Sequence, residues 1–318
     1  MITLQKWILA SAVLALGSFV LLATKPLAAL DKRYVDMDGD LVADTPAKTI
    51  DPRTLVFAYT PGEDRALHAS VWDSLLRHLE MMTGKRVRFF PVQSNAAELE
   101  AMRAGRLHIA AFGTGSVPIA VNCAGFVPFA VMGGEHGILG YEMEIITYPD
   151  SGIKGPADLK SRKLAFTSPT SNSGFKEPSV LLRKEFGLEP GRDYTSVFSG
   201  KHENSILGVA NKDFDAAAIA NEVMHRMLAR GVIKEQQIRS IYKSATFPTA
   251  AFGLAYNLKP SLAAKVREAF FSFRWAGTAL EQEFSALSVS KFMPITYKKE
   301  WALVRDVDAE MNVQYACK

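Results

Sequence analysis

"TSPTSNSGFKEPSVLL", residues 167–182, lies where a predicted strand passes into a predicted helix. Six of its first seven residues carry a hydroxyl or amide side chain, and Gly174 and Pro178 follow before an apolar run. The first backbone N–H groups of a helix lack intrahelical partners, and the helix dipole adds partial positive charge there. The segment therefore predicts an anion-binding helix start, with a serine-rich loop carrying an ordinary N-cap as the alternative.

Strands and helices alternate on both sides of this segment. TLVFAY, from Thr54, predicts a buried strand, and SVWDSLLRHLEMMTG places apolar residues on one helical face before Gly84. Further units of this kind follow, which predicts an α/β fold with parallel-type sheets flanked by helices. Ligands bind beyond the carboxyl ends of such strands. Tyr59 and residues 112–116, which include Thr114, occupy such ends and are expected to face one another across a cleft.

The length of 318 residues and a hydrophobic content of 48% suffice for two lobes. We predict a signal peptide over residues 1–29 and a largely extended leader over 30–53. Residues 54–147 and 248–318 are predicted to form the first lobe, and residues 148–247 the second. The chain then crosses between lobes near 147 and near 248, and the C-terminal helices return to the first lobe.

The N-terminal segment has the order of a secretory signal. Lys6 precedes an uncharged apolar stretch, and Ala28 and Ala29 provide small residues at a cleavage point after Ala29. An uncleaved membrane anchor is the alternative, which Lys25 supports. Cleavage would remove both lysines and lower the formal net charge of +4 by two. So balanced a charge gives no reason to expect nucleic acid or an anionic membrane surface as a partner.

The two cysteines, Cys123 and Cys317, would meet an oxidising compartment after export. A disulfide that ties the C-terminus back is one alternative and two free thiols are the other, because sequence does not give their separation. The histidines and cysteines lack metal-ligand spacing, so no metal site and no cofactor are predicted.

Four aspartates surround Gly39 in the leader: Asp36, Asp38, Asp40 and Asp44. Alternating carboxylates are typical of the start of a calcium loop. The glycine stands at the fourth position instead of the sixth, however, and no glutamate stands at the twelfth. A solvated, poorly ordered leader is therefore the favoured interpretation, with a cation site as the alternative.

Several stretches together resemble the periplasmic phosphonate, phosphite and phosphate-type substrate-binding proteins of ABC transporters. These stretches are FAYTPGED, RAGRLHIAAFGTGS, LAFTSPTSNSGFKEPSVLL and SGKHENSILGVANKDFDAAAIANEV, and the resemblance extends from about Leu55 to Ala276. It implies a two-lobed periplasmic-binding-protein fold of type II that closes on its ligand and delivers it to a membrane permease. We expect a monomer in the periplasm.

The resemblance also implies a set of ligand-binding positions. They are Tyr59, Thr170, Ser171, Asn172, Ser173 and His202. Phe112 stands where some relatives have a tyrosine, and Ala220 and Asn221 stand where some have an acidic residue. These departures remove a phenol and a carboxylate, which favours a smaller ligand than an aminoalkylphosphonate; Asn221 remains a candidate ligand-binding residue.

Phosphite and methylphosphonate differ from phosphate at one corner, where hydrogen or methyl replaces an oxygen. An apolar wall at that corner would leave a phosphate oxygen unpaired, at a cost of about 1–3 kcal/mol. Tyr59 or Phe112 is predicted to form this wall, with core packing as the alternative for Phe112. His202 is predicted to donate to an anionic oxygen, more strongly when protonated near neutral pH.

These features predict the substrate-binding component of an ABC importer for a small phosphorus oxyanion, phosphite or an alkylphosphonate such as methylphosphonate. An exported enzyme on the same two-lobed fold is one alternative, because fold alone does not fix function. A periplasmic sensor of the same ligand is another. The motif GxSxG is absent, and no base is positioned by sequence.

Overall fold

The computed structural model of the chain describes residues 30–60, 65–315 and 317. The predicted signal segment, residues 1–29, lies outside these ranges. Among the helices of the described ranges, none has the length and apolar character that a bilayer crossing requires.

The strands of the described residues lie in two sheets. They are β1 (Thr54–Tyr59), β2 (Arg86–Phe89), β3 (Ile109–Phe112), β4 (Phe126–Gly134), β5 (Gly137–Ile138), β6 (Gly140–Thr147), β7 (Lys163–Phe166), β8 (Thr195–Phe198), β9 (Ala216–Ala220), β10 (Arg239–Pro248), β11 (Ala251–Ala255) and β12 (Lys291–Pro294).

Helices flank both sheets. They are α1 (Arg65–Thr83), α2 (Asn95–Arg103), α3 (Val117–Ala124), α4 (Glu177–Phe186), α5 (His202–Ala210), α6 (Asn221–Ala229), α7 (Pro260–Ser272), α8 (Ala279–Phe284), α9 (Tyr297–Glu300) and α10 (Ala302–Glu310). A single π-helical turn over Asn172–Lys176 precedes α4.

The first sheet has the strand order β12-β4-β11-β3-β1-β2, with β5 paired to β4. β1 runs parallel to β2 and β3, whereas β11, β4 and β12 pair antiparallel. We call this sheet and the helices packed on it the first lobe. The expectation of parallel-type sheets therefore holds for β1 to β3, while the antiparallel strands make the sheet mixed.

The second sheet has the order β10-β6-β9-β7-β8. Its centre is parallel, since β7 pairs with β8 and with β9 in that sense, and β6 and β10 add antiparallel strands. We call this sheet and helices α4, α5 and α6 the second lobe. The observed architecture is the predicted α/β fold with one sheet in each lobe.

The chain passes from the first sheet to the second between β5 and β6, at Leu139, and returns between β10 and β11, at Thr249 and Ala250. The predicted crossing near 248 agrees with the observed return. The predicted crossing near 147 lies one strand too late, because β6 pairs with β9 and β10 in the second sheet. The periodicity of the apolar run in β6 is compatible with either lobe. Only the strand pairing assigns β6 to the second lobe.

The leader is neither largely extended nor merely solvated. Leu30, Leu41 and Ile50 pack against the hydrophobic core, and Ile50 forms a bridge with Leu258. The Asp36 carboxylate accepts hydrogen bonds from the amides of Gly39 and Leu41. Asp38 and Asp40 accept amides two residues further on. The aspartates thus fold the leader into turns over the first lobe, which corrects the predicted extended form.

The C-terminal part of the chain spans both lobes. α9 contacts β4 of the first lobe, but α10 packs against α4 and against the turn 172–176 of the second lobe. Cys317 forms a disulfide with Cys123 at the end of α3. The predicted return to the first lobe therefore describes only part of this region, since α10 also covers the second lobe.

Candidate functional site

A cavity of about 100 Å³ lies between the lobes, at the carboxyl ends of their parallel strands. Both crossovers contribute to it, through Leu139 and through Thr249 and Ala250. Six of the residues predicted for the site line this cavity: Tyr59, Thr114, Ser171, Asn172, Ser173 and His202. The interlobe position explains why residues more than a hundred positions apart in sequence meet there.

The π-helical turn 172–176 forms one wall of the cavity. Ser171 caps it, because its hydroxyl accepts the amide of Gly174 at 3.0 Å. A Cβ on Gly174 would come within 2.0 Å of Thr167 Oγ1, so a side chain there would collide with the end of β7. Glycine is thus required for close packing of the turn on the sheet.

Two side chains on this wall carry buried polar atoms without partners. The Asn172 amide, whose residue is 1% exposed, makes no hydrogen bond within the described part of the chain, and the same holds for the Thr167 hydroxyl. Buried polar groups are nearly always paired, because leaving one unpaired costs about 1–3 kcal/mol. A ligand with several acceptor oxygens would pair the Asn172 nitrogen and the Thr167 hydroxyl together.

His202 is held as a neutral donor. Its Nδ1 accepts the amide of Ala220 at 3.0 Å, which leaves the ring proton on Nε2, 3.4 Å from the Ser171 hydroxyl. Burial, and secondarily the charge of Arg226, lowers the pKa of His202 to about 4. The predicted protonation near neutral pH is therefore wrong: the imidazole contributes one N–H and no net charge.

The two lobes touch directly beside the cavity. Asn95 of α2 donates to the hydroxyls of Ser168 and Thr170 at 3.4 and 3.2 Å, and Ser116 donates to Thr170 at 3.3 Å. A Cβ on Gly115 would lie 2.3 Å from the Thr170 carbonyl oxygen. The first-lobe loop 114–116 is thus packed tightly against the start of the π-helical turn 172–176, in a closed arrangement.

Three predicted residues do not line the cavity. Phe112 is fully buried and packs edge-on against Phe126 at 4.8 Å, so core packing, the alternative considered for it, describes its environment. Thr170 makes the interlobe contacts described above. Asn221 pairs through its side chain with the backbone and carboxylate of Glu142, so it anchors the start of α6 on β6.

Two residues that bring a phenol and a carboxylate to the cavity were not predicted from the sequence. Tyr141, from β6, brings a phenol to the cavity, and Glu222, one position after Asn221, brings a carboxylate. Burial raises the pKa of Tyr141, and its neighbours Thr114, Ser173 and Asn172 partly oppose this shift. Neighbouring elements thus supply a phenol and a carboxylate from positions other than 112, 220 and 221.

Arg226 adds a guanidinium to the same wall, one turn along α6 from Glu222. Its Nη1 lies 2.8 Å from Glu222 Oε2, and its Nε lies 3.9 Å from Glu283 of α8 in the first lobe. Arg230 lies 3.5 Å from the same Glu283 oxygen. The i, i+4 spacing of Glu222 and Arg226 is visible in NEVMHR, but their contact with the first lobe depends on the tertiary fold.

Apolar and aromatic side chains form another part of the cavity lining. The side chains concerned are Tyr59, Met132, Leu139, Val223 and Leu287. Tyr59 packs against Trp72 with ring centroids 4.7 Å apart, which fixes its orientation. Tyr59 is thus part of the cavity lining, whereas Phe112 is not.

A buried ion pair supports the π-helical turn 172–176 from outside the cavity. Lys176, the last residue of the turn, donates to the Gly115 carbonyl at 2.8 Å and pairs with Asp308 of α10. Burial lowers the pKa of Lys176, and Asp308 opposes that effect. Tyr315 donates to the other Asp308 oxygen. The C-terminal region therefore holds both the second-lobe turn and the first-lobe loop.

Comparison with known proteins relates most of the chain to one family. The chain is 29% identical over 277 residues to a phosphate-import protein, PhnD, of Mycolicibacterium smegmatis, covering 84% of this chain and 85% of that protein. It is 25% identical to a binding protein component of an ABC phosphonate transporter from Pseudomonas aeruginosa, with a TM-score of 0.72 over 81% of this chain and 86% of that one.

A third relative shares the fold at lower identity. PhnD1 from Prochlorococcus marinus, solved in complex with methylphosphonate, is 15% identical and has a TM-score of 0.72, covering 82% of this chain and 99% of that chain. The family profile described as "ABC transporter, phosphonate, periplasmic substrate-binding protein" matches residues 57–301. This range includes most of both lobes and the whole turn over residues 172–176, and the chain belongs to the family of periplasmic phosphonate substrate-binding proteins of ABC transporters.

Proposed function

We propose that the protein captures a small phosphorus oxyanion, phosphite or methylphosphonate, in the periplasm and delivers it to an inner-membrane permease. The observation that carries this proposal is the unpaired, fully buried amide of Asn172 at the cavity wall. The Thr167 hydroxyl, the His202 Nε2–H and the start of the turn point to the same space. Together they offer donors to several oxygens of one tetrahedral anion.

The size of the cavity favours the smallest members of this ligand class. Sites for drug-sized ligands are about 300–1,000 Å³, whereas this cavity is about 100 Å³. An ion of four or five heavy atoms fits such a volume, and a long alkyl substituent does not. The apolar side formed by Tyr59, Leu139 and Leu287 suits a P–H or P–CH₃ corner.

Phosphate is a second candidate ligand, since the relative from Mycolicibacterium smegmatis is named for phosphate import. Phosphate would place a fourth oxygen against the apolar side chains. We expect it to bind about ten to a hundred times more weakly than methylphosphonate, because an oxygen left without partners costs about 1–3 kcal/mol.

An enzymatic role is disfavoured by the geometry of Ser171 and His202, the nearest approach to a nucleophile and base at the cavity. The imidazole Nε2 that faces the hydroxyl carries a proton, because Nδ1 accepts the Ala220 amide. A nitrogen that already holds its proton cannot take one from serine. We therefore infer that the protein binds its ligand without changing it chemically. We also infer that it acts as a monomer after removal of its signal peptide.

Calorimetric titration of the purified protein with methylphosphonate, phosphite, phosphate and sulfate tests the proposal. Asn172→Ala is expected to weaken the tightest interaction at least tenfold with little change in the unfolding temperature, because neither polar atom of the amide has a hydrogen-bond partner of good geometry among the described residues. Ser171→Ala is the comparison: it also removes a helix cap and should cost about 1 kcal/mol of stability. Phosphorus NMR should show the ligand unchanged after incubation; failure of all four anions to bind would contradict the proposal.

A further inference from the structure

Glu222 stands in the cavity wall although the expected ligand is an anion. It lies in the first turn of α6, and its side chain is 20% exposed. The ion pair with Arg226, 2.8 Å between Nη1 and Oε2, marks it as an ionised carboxylate. An ionised carboxylate only accepts hydrogen bonds, so any ligand atom that meets it must be apolar or must bring its own hydrogen.

The surroundings of Glu222 hold several charged or titratable groups. They are Arg226 and Arg230 on α6, Lys201 and His202 at the start of α5, Tyr141 and Glu142 on β6, and Glu283 on α8. The pKa of His202 is lowered to about 4 and the pKa of Tyr141 is raised, so both pKa values are moved away from neutral pH. A proton taken up with the ligand near neutral pH is therefore best placed on the ligand itself.

Glu222 lines the same cavity of about 100 Å³ as Asn172 and His202. A phosphonate or phosphite monoanion carries one P–OH group, whereas the dianion carries none. We propose that Glu222 accepts the P–OH hydrogen of the ligand and thereby selects the monoanion. This inference rests on the proposed function and adds the protonation state that the site recognises. An O–H···O⁻ contact is among the strongest hydrogen bonds, while an unprotonated oxygen there would face a like charge.

One consequence is discrimination against sulfate. At neutral pH sulfate is a dianion without a hydrogen to donate, so it would meet Glu222 with a bare oxygen. The apolar side chains disfavour the fourth oxygen of sulfate and of phosphate alike, so they do not separate these two ions, and the carboxylate provides that distinction. Phosphate monoanion satisfies Glu222 and is disfavoured instead by the apolar side of the cavity.

The test is the pH dependence of binding for two ligands whose second pKa values differ, methylphosphonate and phosphite. Calorimetry in two buffers of different ionisation enthalpy measures both affinity and proton uptake. Above the second pKa of each ligand, the affinity for total ligand should fall about tenfold per pH unit, with uptake of one proton. The pH at which the fall begins should move with the ligand, which titration of a protein group cannot produce.

Two variants complete the test. Glu222→Gln offers an NH₂ donor to an unprotonated oxygen, so the fall with pH should disappear and sulfate should bind more tightly. His225→Gln, at an exposed position on the same helix, should keep the parental pH dependence. Constant affinity in the parent, or the same break for both ligands, would overturn the inference even if Glu222→Gln fails to fold. A complete lack of binding at every pH would instead contradict the proposed function.

Discussion

The ammonium of Lys176 lies 2.7 Å from the carboxylate of Asp308, and both side chains are only 5% exposed. Lys176 is the last residue of the π-helical turn 172–176, and Asp308 lies on α10. The pair therefore connects the cavity wall with the C-terminal region. The additional bond to the Gly115 carbonyl brings the first-lobe loop into the same arrangement. One buried charge pair thus sets the position of three segments around the cavity.

Removal of one partner should be costly. Lys176→Met leaves the Asp308 carboxylate buried without a cation, and we expect the free energy of unfolding, measured in urea, to fall by about 3–5 kcal/mol. Lys184→Met is the matched control, because Lys184 and Glu310 form an exposed pair, worth less than about 1 kcal/mol. The double variant Lys176→Met/Asp308→Leu should recover most of the loss. Equal effects of the two lysine substitutions would contradict this account.

Gly115 should be required for lobe closure. An added Cβ would lie 2.3 Å from the Thr170 carbonyl oxygen and 2.4 Å from the Asn172 amide nitrogen. Since both are backbone atoms of the other lobe, Gly115→Ala should hold the lobes apart and weaken methylphosphonate binding at least tenfold. Small-angle scattering should show a larger radius in the variant. Gly155→Ala, where a Cβ meets nothing within 4 Å, should leave both measurements unchanged.

His202 should make the folded state sensitive to acid. Its pKa is about 4 in the folded protein against an ordinary 6.5, so the unfolded chain binds the proton more readily. The stabilisation is complete above pH 6.5 and is lost as the pH falls towards 4, by about 3 kcal/mol. His202→Gln should lack this component. Urea unfolding of both proteins across that range measures the difference, and parallel curves would refute the assignment.

Glu98 should be a destabilising residue. It is fully buried in α2, neither carboxylate oxygen has a hydrogen-bond partner within the described ranges, and burial raises its pKa well above the usual value. Glu98→Met should increase stability at neutral pH by about 1–3 kcal/mol.

The gain in stability from Glu98→Met should shrink as the pH falls towards the usual carboxyl pKa. Protonation of Glu98 then removes the cost of a buried charged carboxylate in the parent protein. Glu100→Met on the same helix is the control, since Glu100 is 53% exposed, and its effect should stay within about 0.5 kcal/mol. A loss of stability in Glu98→Met would show that the carboxyl has a role in the fold.

The sequence predicted the elements whose periodicity is local. β1, α1, β3, α4 and α5 lie close to where alternation of strand and helix places them. β4 and β10 were not predicted, although they are the longest strands of their sheets. Their antiparallel pairing depends on partners distant in the chain, and that information is absent from any local pattern.

The polar turn before α4 was predictable because its composition is local: hydroxyls, an amide and a glycine before a helix. The charges around the cavity were not. Glu222 follows Asn221 by one residue, and that one step decides which side chain points into the cleft, because α6 begins at Asn221. The low pKa of His202 depends on burial and on Arg226, which only the packed fold reveals.

Both ends of the described chain are fastened to one place, the last turn of α3. Asp31 donates its amide to the Asn122 carbonyl, Arg33 and Tyr34 donate to the Cys123 carbonyl, and Cys317 is bonded to Cys123 itself. Any tether, tag or reporter attached at either end of the described chain would therefore lie near the last turn of α3 in the first lobe. The second lobe would carry no attachment. Because both attachment points lie on the first lobe, the distance between them would change little when the cleft opens.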